Sequence, residues 1–190
     1  IVSVTPIICK RFSKYHENVE MIANFPSFSN LEIQNVIRND NHICYIGGLY
    51  QSRGIQEFVE AFVKCDVVLH LAGSFDSKEF ELNLKSLPGW NKVIFHGQVE
   101  QSKIRTILAE CSIGIVTLHP TPSYLEAYPI KMFEYMNAGL AILSSDFPLY
   151  RELIGNFECC QFVDPLNPRE IGSVLNEMLK NPTHLTEMGK

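Results

Sequence analysis

A parallel, doubly wound α/β sheet of Rossmann type is the fold that this 190-residue sequence predicts. Three observations predict it. From His42 onward, apolar runs of strand length alternate with segments whose apolar residues recur at helical spacing. The connections are short, which in such an alternation means right-handed crossovers and a sheet covered on both faces. Glycines and polar residues gather after the apolar runs, at the strand carboxyl ends where such a sheet takes its ligands.

Taken in order, Ile1–Thr5 reads as a short apolar strand, followed by a polar, helical segment with Lys10, Arg11 and Lys14. Val19–Ala23 reads as another strand ending at Asn24-Phe25-Pro26, and Ser27–Asn41 is polar and linker-like. His42–Gly47 is a strand whose exit loop runs from Gly47-Gly48 to Arg53-Gly54. Ile55, Phe58, Val59 and Phe62 then form a helical stripe. Asp66–Leu71 is a strand ending at Ala72-Gly73, Lys78–Leu87 a helix, and Lys92–Phe95 a strand ending at His96-Gly97-Gln98. Gln101–Cys111 is helical, with Ile104, Ile107 and Leu108 facing inward, and the strand Ile113–Leu118 enters a loop over 119–128. After the helix that follows come the strand Leu140–Leu143, the helix Pro148–Ile154, the strand Cys159–Val163 and the helix Pro168–Leu179. Pro182–Met188 begins another helix.

Composition narrows the function. Hydrophobic residues make up 46% of the chain and the net charge is −5, so this is a globular protein with no Lys/Arg cluster to track nucleic-acid phosphates. The apolar runs are too short to span a bilayer. The six cysteines show no C-x-x-C spacing, and several fall in apolar runs, as reduced core thiols do in a cytosolic protein.

The stretch Ser123–Gly139 holds two glutamates, Glu126 and Glu134, spaced E-x7-E across a loop-to-helix junction. Pro129 suits the first turn of a helix, and Met132, Phe133, Met136 and Leu140 give it an apolar stripe. The unpaired first-turn N–H groups near Pro129 and Ile130, with the helix dipole behind them, make a seat for an anion such as a diphosphate. Lys131 adds a positive charge at that end. A carboxylate accepts both hydroxyls of a sugar cis-diol, so the glutamates suit a sugar-bearing ligand. On periodicity alone, Glu134 belongs to a solvated helix face.

Together with Gly139-Leu140-Ala141-Ile142-Leu143-Ser144-Ser145, this stretch resembles the signature of glycosyltransferase family 4, the retaining GT-B enzymes. The form Pro-x-Lys-x-Phe-Glu-Tyr-Met is similar to bacterial members that build surface polysaccharide and lipopolysaccharide. Ala141 stands where that family usually has proline. The resemblance implies that 42–190 is the C-terminal, nucleotide-sugar-binding domain of a GT-B fold, 27–41 a linker and 1–26 a remnant of the N-terminal Rossmann domain. On that reading the chain is a piece of a longer protein, inactive by itself. Glu134 would hold the ribose hydroxyls and Glu126 the donor sugar. The loop Gly47–Gly54 resembles the family's diphosphate loop, with Arg53 at its lysine position. Gly48 replaces its arginine, a loss that Lys131 is placed to offset. His96-Gly97-Gln98 resembles the turn whose backbone reads the nucleobase. Arg53, Lys131 and the start of the helix would stabilise the leaving diphosphate.

The resemblance implies no metal or other cofactor, and the sequence has no Asp-x-Asp to hold one. It implies as partners a nucleotide sugar, the missing N-terminal domain and a glycan or lipid-linked acceptor. The implied location is cytoplasmic, at the inner membrane face if the missing half binds lipid. Two alternatives stay open: a sugar-nucleotide epimerase of the same architecture, and a non-catalytic nucleotide-binding module. The second would need Glu134 but not Glu126. Outside the motif, His70 reads as a core or edge histidine, His119 as a residue able to reach the pocket, and Asp146 as a candidate helix cap.

Overall fold

The computed structural model describes residues 1–25 and 38–190, so most of the expected linker lies outside the described residues. Ahead of the main sheet, β1 (Val2–Ser3) and β2 (Glu20–Met21) pair in parallel around α1 (Pro6–Phe12). The two expected strands here are thus shortened to two residues each. The helix opens directly after Thr5, which caps it, with Pro6 in its first turn.

The body is a six-stranded parallel sheet. Its elements are β3 (His42–Ile46), α2 (Ile55–Ala61), β4 (Val68–Ala72), α3 (Lys78–Ser86), β5 (Val93–Gly97), α4 (Gln101–Glu110) and β6 (Ile113–Val116). There follow α5 (Pro122–Leu125), α6 (Ile130–Asn137), β7 (Ala141–Ser145), α7 (Pro148–Ile154), β8 (Cys160–Val163), α8 (Pro168–Leu179) and α9 (Pro182–Met188). The short helix α5 inside the 119–128 loop was not expected; Thr121 caps it and Pro122 opens it. Asp146 does not cap α7. It pairs with Arg151 instead, and Phe147 takes the cap position.

Strand order is β5-β4-β3-β6-β7-β8, so the chain winds outward from β3 in one direction and then from β6 in the other. Side chains alternate between faces along each strand. Ile43, Tyr45, Leu69, Leu71, Ile113, Ile115 and Leu143 pack against α2, α8 and α9, with Phe58, Phe62, Ile171 and Leu175 fully buried among them. Cys44, Ile46, Val116 and Ile142 face α4, α6 and α7 on the other side, against Ile107, Met132, Tyr135 and Tyr150. Four of the six cysteines (Cys44, Cys65, Cys111 and Cys160) are buried as free thiols. Among the described residues, no helix is long and apolar enough to cross a membrane.

The reversal between β3 and β6 matters most. These strands pair only at Ile43 with Ile113 and Cys44 with Gly114, and then part. Tyr135, fully buried on α6, reaches into the split and accepts a 3.0 Å hydrogen bond from the Ile46 N–H, which would otherwise be orphaned. A Cβ on Gly114 would lie 2.3 Å from the Tyr135 ring. The glycine is what lets α6 sit so close to the sheet.

Candidate functional site

At the carboxyl end of that split lies a cavity of about 470 Å³. Strands β3 and β6 supply Tyr45, Ile115 and Val116, with Leu118 just beyond. The β3–α2 loop supplies Arg53, the loop before α6 supplies Tyr124, Ala127 and Tyr128, and Pro129, Ile130, Lys131 and Glu134 form one wall. Tyr150 of α7 closes the floor. Crevices at such strand-order reversals are the usual ligand sites of open α/β sheets.

Five of the residues expected from sequence therefore line one cavity: Arg53, Pro129, Ile130, Lys131 and Glu134. Pro129 precedes α6 with extended backbone and no side-chain cap; of the first-turn N–H groups, that of Met132 bonds the Pro129 carbonyl at 2.9 Å, and those of Ile130 and Lys131 have no partner within the helix. The Lys131 ammonium lies 2.6 Å from the Glu134 carboxylate, so each neutralises the other. Glu134 is thus neither on a purely solvated face nor buried; its side chain is 31% exposed at the cavity wall.

Arg53 is held by aromatic rings. Its guanidinium carbon stands 5.0 Å from the centre of the Tyr124 ring and 6.0 Å from that of Tyr50. Among the described residues its Nε is buried without a hydrogen-bond partner. Burial pushes the Tyr45 and Tyr150 phenols up against the pull of the Arg53 charge, so both stay neutral donors. The Tyr45 hydroxyl donates to the Gly48 carbonyl at 2.9 Å, and that of Tyr150 to the Tyr124 carbonyl at 3.3 Å, fixing the two loops. A Cβ at Gly48 would meet the tip of the Tyr50 ring at 2.5 Å, so a side chain there requires that half-exposed ring to swing aside.

The other expected residues lie outside the cavity wall. Gly47 and Gly48 turn the chain above β3, where the Gly47 N–H bonds the Ala72 carbonyl at 2.9 Å. Glu126 stands beside the cavity, with its carboxylate bound by Arg11 of α1 through both oxygens. His96, Gly97 and Gln98 end β5, two strands away from β3 at the sheet edge. Gly97 has φ +66 with open space around its missing Cβ, so its backbone demands glycine while its surroundings stay accessible. The His96 ring turns inward: its Nε2 lies 3.1 Å from His70 Nδ1, whose Nε2 lies 2.9 Å from His42 Nδ1. Three histidines thus form a ladder across β3, β4 and β5. Burial, then the neighbouring His42 and His96, lowers the His70 pKa to about 4. Burial and then Lys103 lower that of His96. His119 does not line the cavity. It sits 3.0 Å from Glu57 Oε1 without hydrogen-bond alignment.

Sequence reasoning missed Tyr45, Tyr124, Tyr128 and Tyr150. The first three occupy a strand end and the motif loop, where their position was the available signal. Tyr150 had none, since it arrives from α7 on the far side of β7. Among the described residues, no group of three or more His, Cys, Asp or Glu side chains is arranged to hold a metal ion.

A family model described as glycosyl transferases group 1 matches residues 28–190. No curated protein matches the sequence. Among solved structures, the chain resembles a TarM variant from S. aureus crystallised with fondaparinux, alpha-GlcNAc-glycerol and UDP. The identity is 15%, over 99% of this chain and 38% of TarM, with a TM-score of 0.78. It resembles WaaG, a glycosyltransferase involved in lipopolysaccharide biosynthesis, at 17% identity over 99% of this chain and 55% of WaaG, with a TM-score of 0.70. The C-terminal domain of LpcC, a group 1 family protein from Francisella tularensis, is 19% identical over 87% of this chain and 90% of that domain, with a TM-score of 0.64. At these identities the likeness is one of fold: a six-stranded parallel sheet flanked by helices, as in GT-B neighbours. The chain spans well under two thirds of TarM and WaaG.

Proposed function

The chain belongs to the glycosyl transferases group 1 family, and on that premise we propose that it is the donor-binding part of a retaining, hexose-transferring family 4 enzyme. Such an enzyme moves a sugar from a nucleotide diphosphate sugar to a glycan or lipid-linked acceptor, here in cytoplasmic synthesis of surface polysaccharide. The observation that carries the reading is the convergence of Arg53, the open start of α6, Lys131 and Glu134 on one cavity at the strand-order reversal.

In this reading Arg53 and the first turn of α6 bind the diphosphate. Lys131 leaves Glu134 to join them, and the freed Glu134 carboxylate accepts the ribose hydroxyls. Glu126 receives hydroxyls of the donor sugar. As the bond from the anomeric carbon to the diphosphate oxygen breaks, negative charge grows on that oxygen beside Arg53 and Lys131, which supply the stabilisation without a metal. Tyr124 keeps the Arg53 guanidinium in place, so little reorganisation accompanies the charge transfer. The acceptor, held by a domain outside this chain whose closure aligns the reacting atoms, bonds the anomeric carbon through its hydroxyl oxygen and gives the hydroxyl proton to the departing diphosphate oxygen. The proposal therefore includes that residues 1–190 alone bind donor and transfer nothing.

The test is calorimetry with uridine, UDP and UDP-glucose, and with the guanosine set in parallel. Arg53→Ala removes charge-assisted bonds, so diphosphate affinity should fall roughly tenfold to a hundredfold, with nucleoside affinity unchanged. Glu134→Gln should weaken nucleoside and diphosphate alike. Equal loss of both ligands on Arg53→Ala, or no effect of Glu134→Gln, would overturn the assignment.

A further inference from the structure

Glu126 is the expected site residue whose surroundings the motif does not explain. Both ends of it are gripped from a segment more than a hundred residues away. The Thr5 hydroxyl donates to the Glu126 main-chain carbonyl at 2.8 Å. Arg11 Nη2 bonds both oxygens of its carboxylate. Phe25, from the same segment, meets Phe133 edge-on at 4.7 Å, one residue before Glu134. We propose that Thr5 and Arg11 are positioning residues that hold Glu126 in the pose that receives a donor sugar, so that the segment ahead of the sheet completes the sugar end of the site. The inference rests on the donor-sugar role proposed above for Glu126.

Thr5 is the anchor. It is fully buried, and its Oγ1 also caps α1 by accepting from the Ile8 N–H, so one hydroxyl joins the helix start to the loop. Arg11 is carried on the helix that Thr5 caps. Its side chain is 57% exposed and that of Glu126 25%, so the ion pair by itself adds little stability. Its effect is geometric. A loop glutamate with free rotamers loses that freedom when it binds a ligand. One already clamped has less to lose. An ionised carboxylate has about four acceptor sites; a single guanidinium nitrogen bridging both oxygens takes one on each. One acceptor site on each oxygen then remains for a pair of sugar hydroxyls.

The experiment measures, by calorimetry, the preference for sugar nucleotide over matched diphosphate, using UDP-glucose against UDP and GDP-mannose against GDP. Arg11→Ala should lower that preference about threefold to tenfold and leave the diphosphate Kd unchanged. Arg11→Lys should restore part of it, Thr5→Val should act in the same direction as Arg11→Ala, and Arg11→Ala should have no effect in a Glu126→Gln background. An unchanged preference, equal weakening of both ligands, or no rescue by lysine would overturn the inference. If the unaltered chain binds diphosphates but prefers no sugar nucleotide, the role of Glu126 fails instead. The clamp is then judged without ligand, from trypsin cleavage after Lys10 and Lys14. Glu126→Ala should speed that cleavage several-fold, and equal rates would show that no clamp exists.

Discussion

Acidification from pH 7.5 to 5.0 should destabilise this domain by about 2 kcal/mol through His70 alone. His70 is 4% exposed and lies between two other histidines, and its pKa is lowered from 6.5 to about 4. Between those values the unfolded chain binds the proton and the folded chain refuses it. Stability is therefore full above about pH 6.5, falls as the pH drops, and levels off near pH 4. At pH 5 an unfolded histidine is almost fully protonated and the folded one about a tenth, which gives the 2 kcal/mol. His70 presents one ring nitrogen to each neighbour, 3.1 Å from His96 Nε2 and 2.9 Å from His42 Nδ1. Lys103 of α4 works against protonation of His70, and Glu110 favours it. The assay is urea unfolding followed by far-UV circular dichroism at both pH values, comparing the native chain with His70→Gln. Glutamine offers one donor and one acceptor but does not titrate. The native chain should lose about 2 kcal/mol more than the variant over that interval. Equal pH dependence in the two proteins would refute the reasoning, because surface carboxylates titrate in both.

Two further outcomes follow from the packing around the cavity. Gly114→Ala places a methyl group 2.3 Å from a Tyr135 ring that cannot retreat without abandoning the Ile46 N–H, so thermal unfolding should show a loss of about 2–4 kcal/mol; a loss under about 1 kcal/mol would mean that the ring moves freely. Tyr124→Leu removes the ring facing Arg53, and UDP affinity by calorimetry should drop about threefold to tenfold with the melting temperature nearly unchanged.

What the sequence by itself determined was local. Apolar period and length placed the six strands of the sheet and their covering helices, because burial on both faces leaves a strand no polar positions and a helix one polar stripe. Pro129 and the apolar stripe marked the start of α6 and put Lys131 within one turn of Glu134, since residues three apart in a helix are neighbours whatever the rest of the chain does. The resemblance then gave these positions a chemistry. Periodicity states which face a residue occupies and says nothing about what lies across from it, so the remainder waited for the tertiary structure. Only strand order could bring His42, His70 and His96 into line, and only the parting of β3 from β6 could open the cavity and seat Tyr135 in the split. Arg11 is 115 residues from Glu126, and no local pattern in either stretch announces the other. Such contacts form because the sheet fixes the ends of distant segments side by side, and a code read along the chain cannot carry what is decided across it.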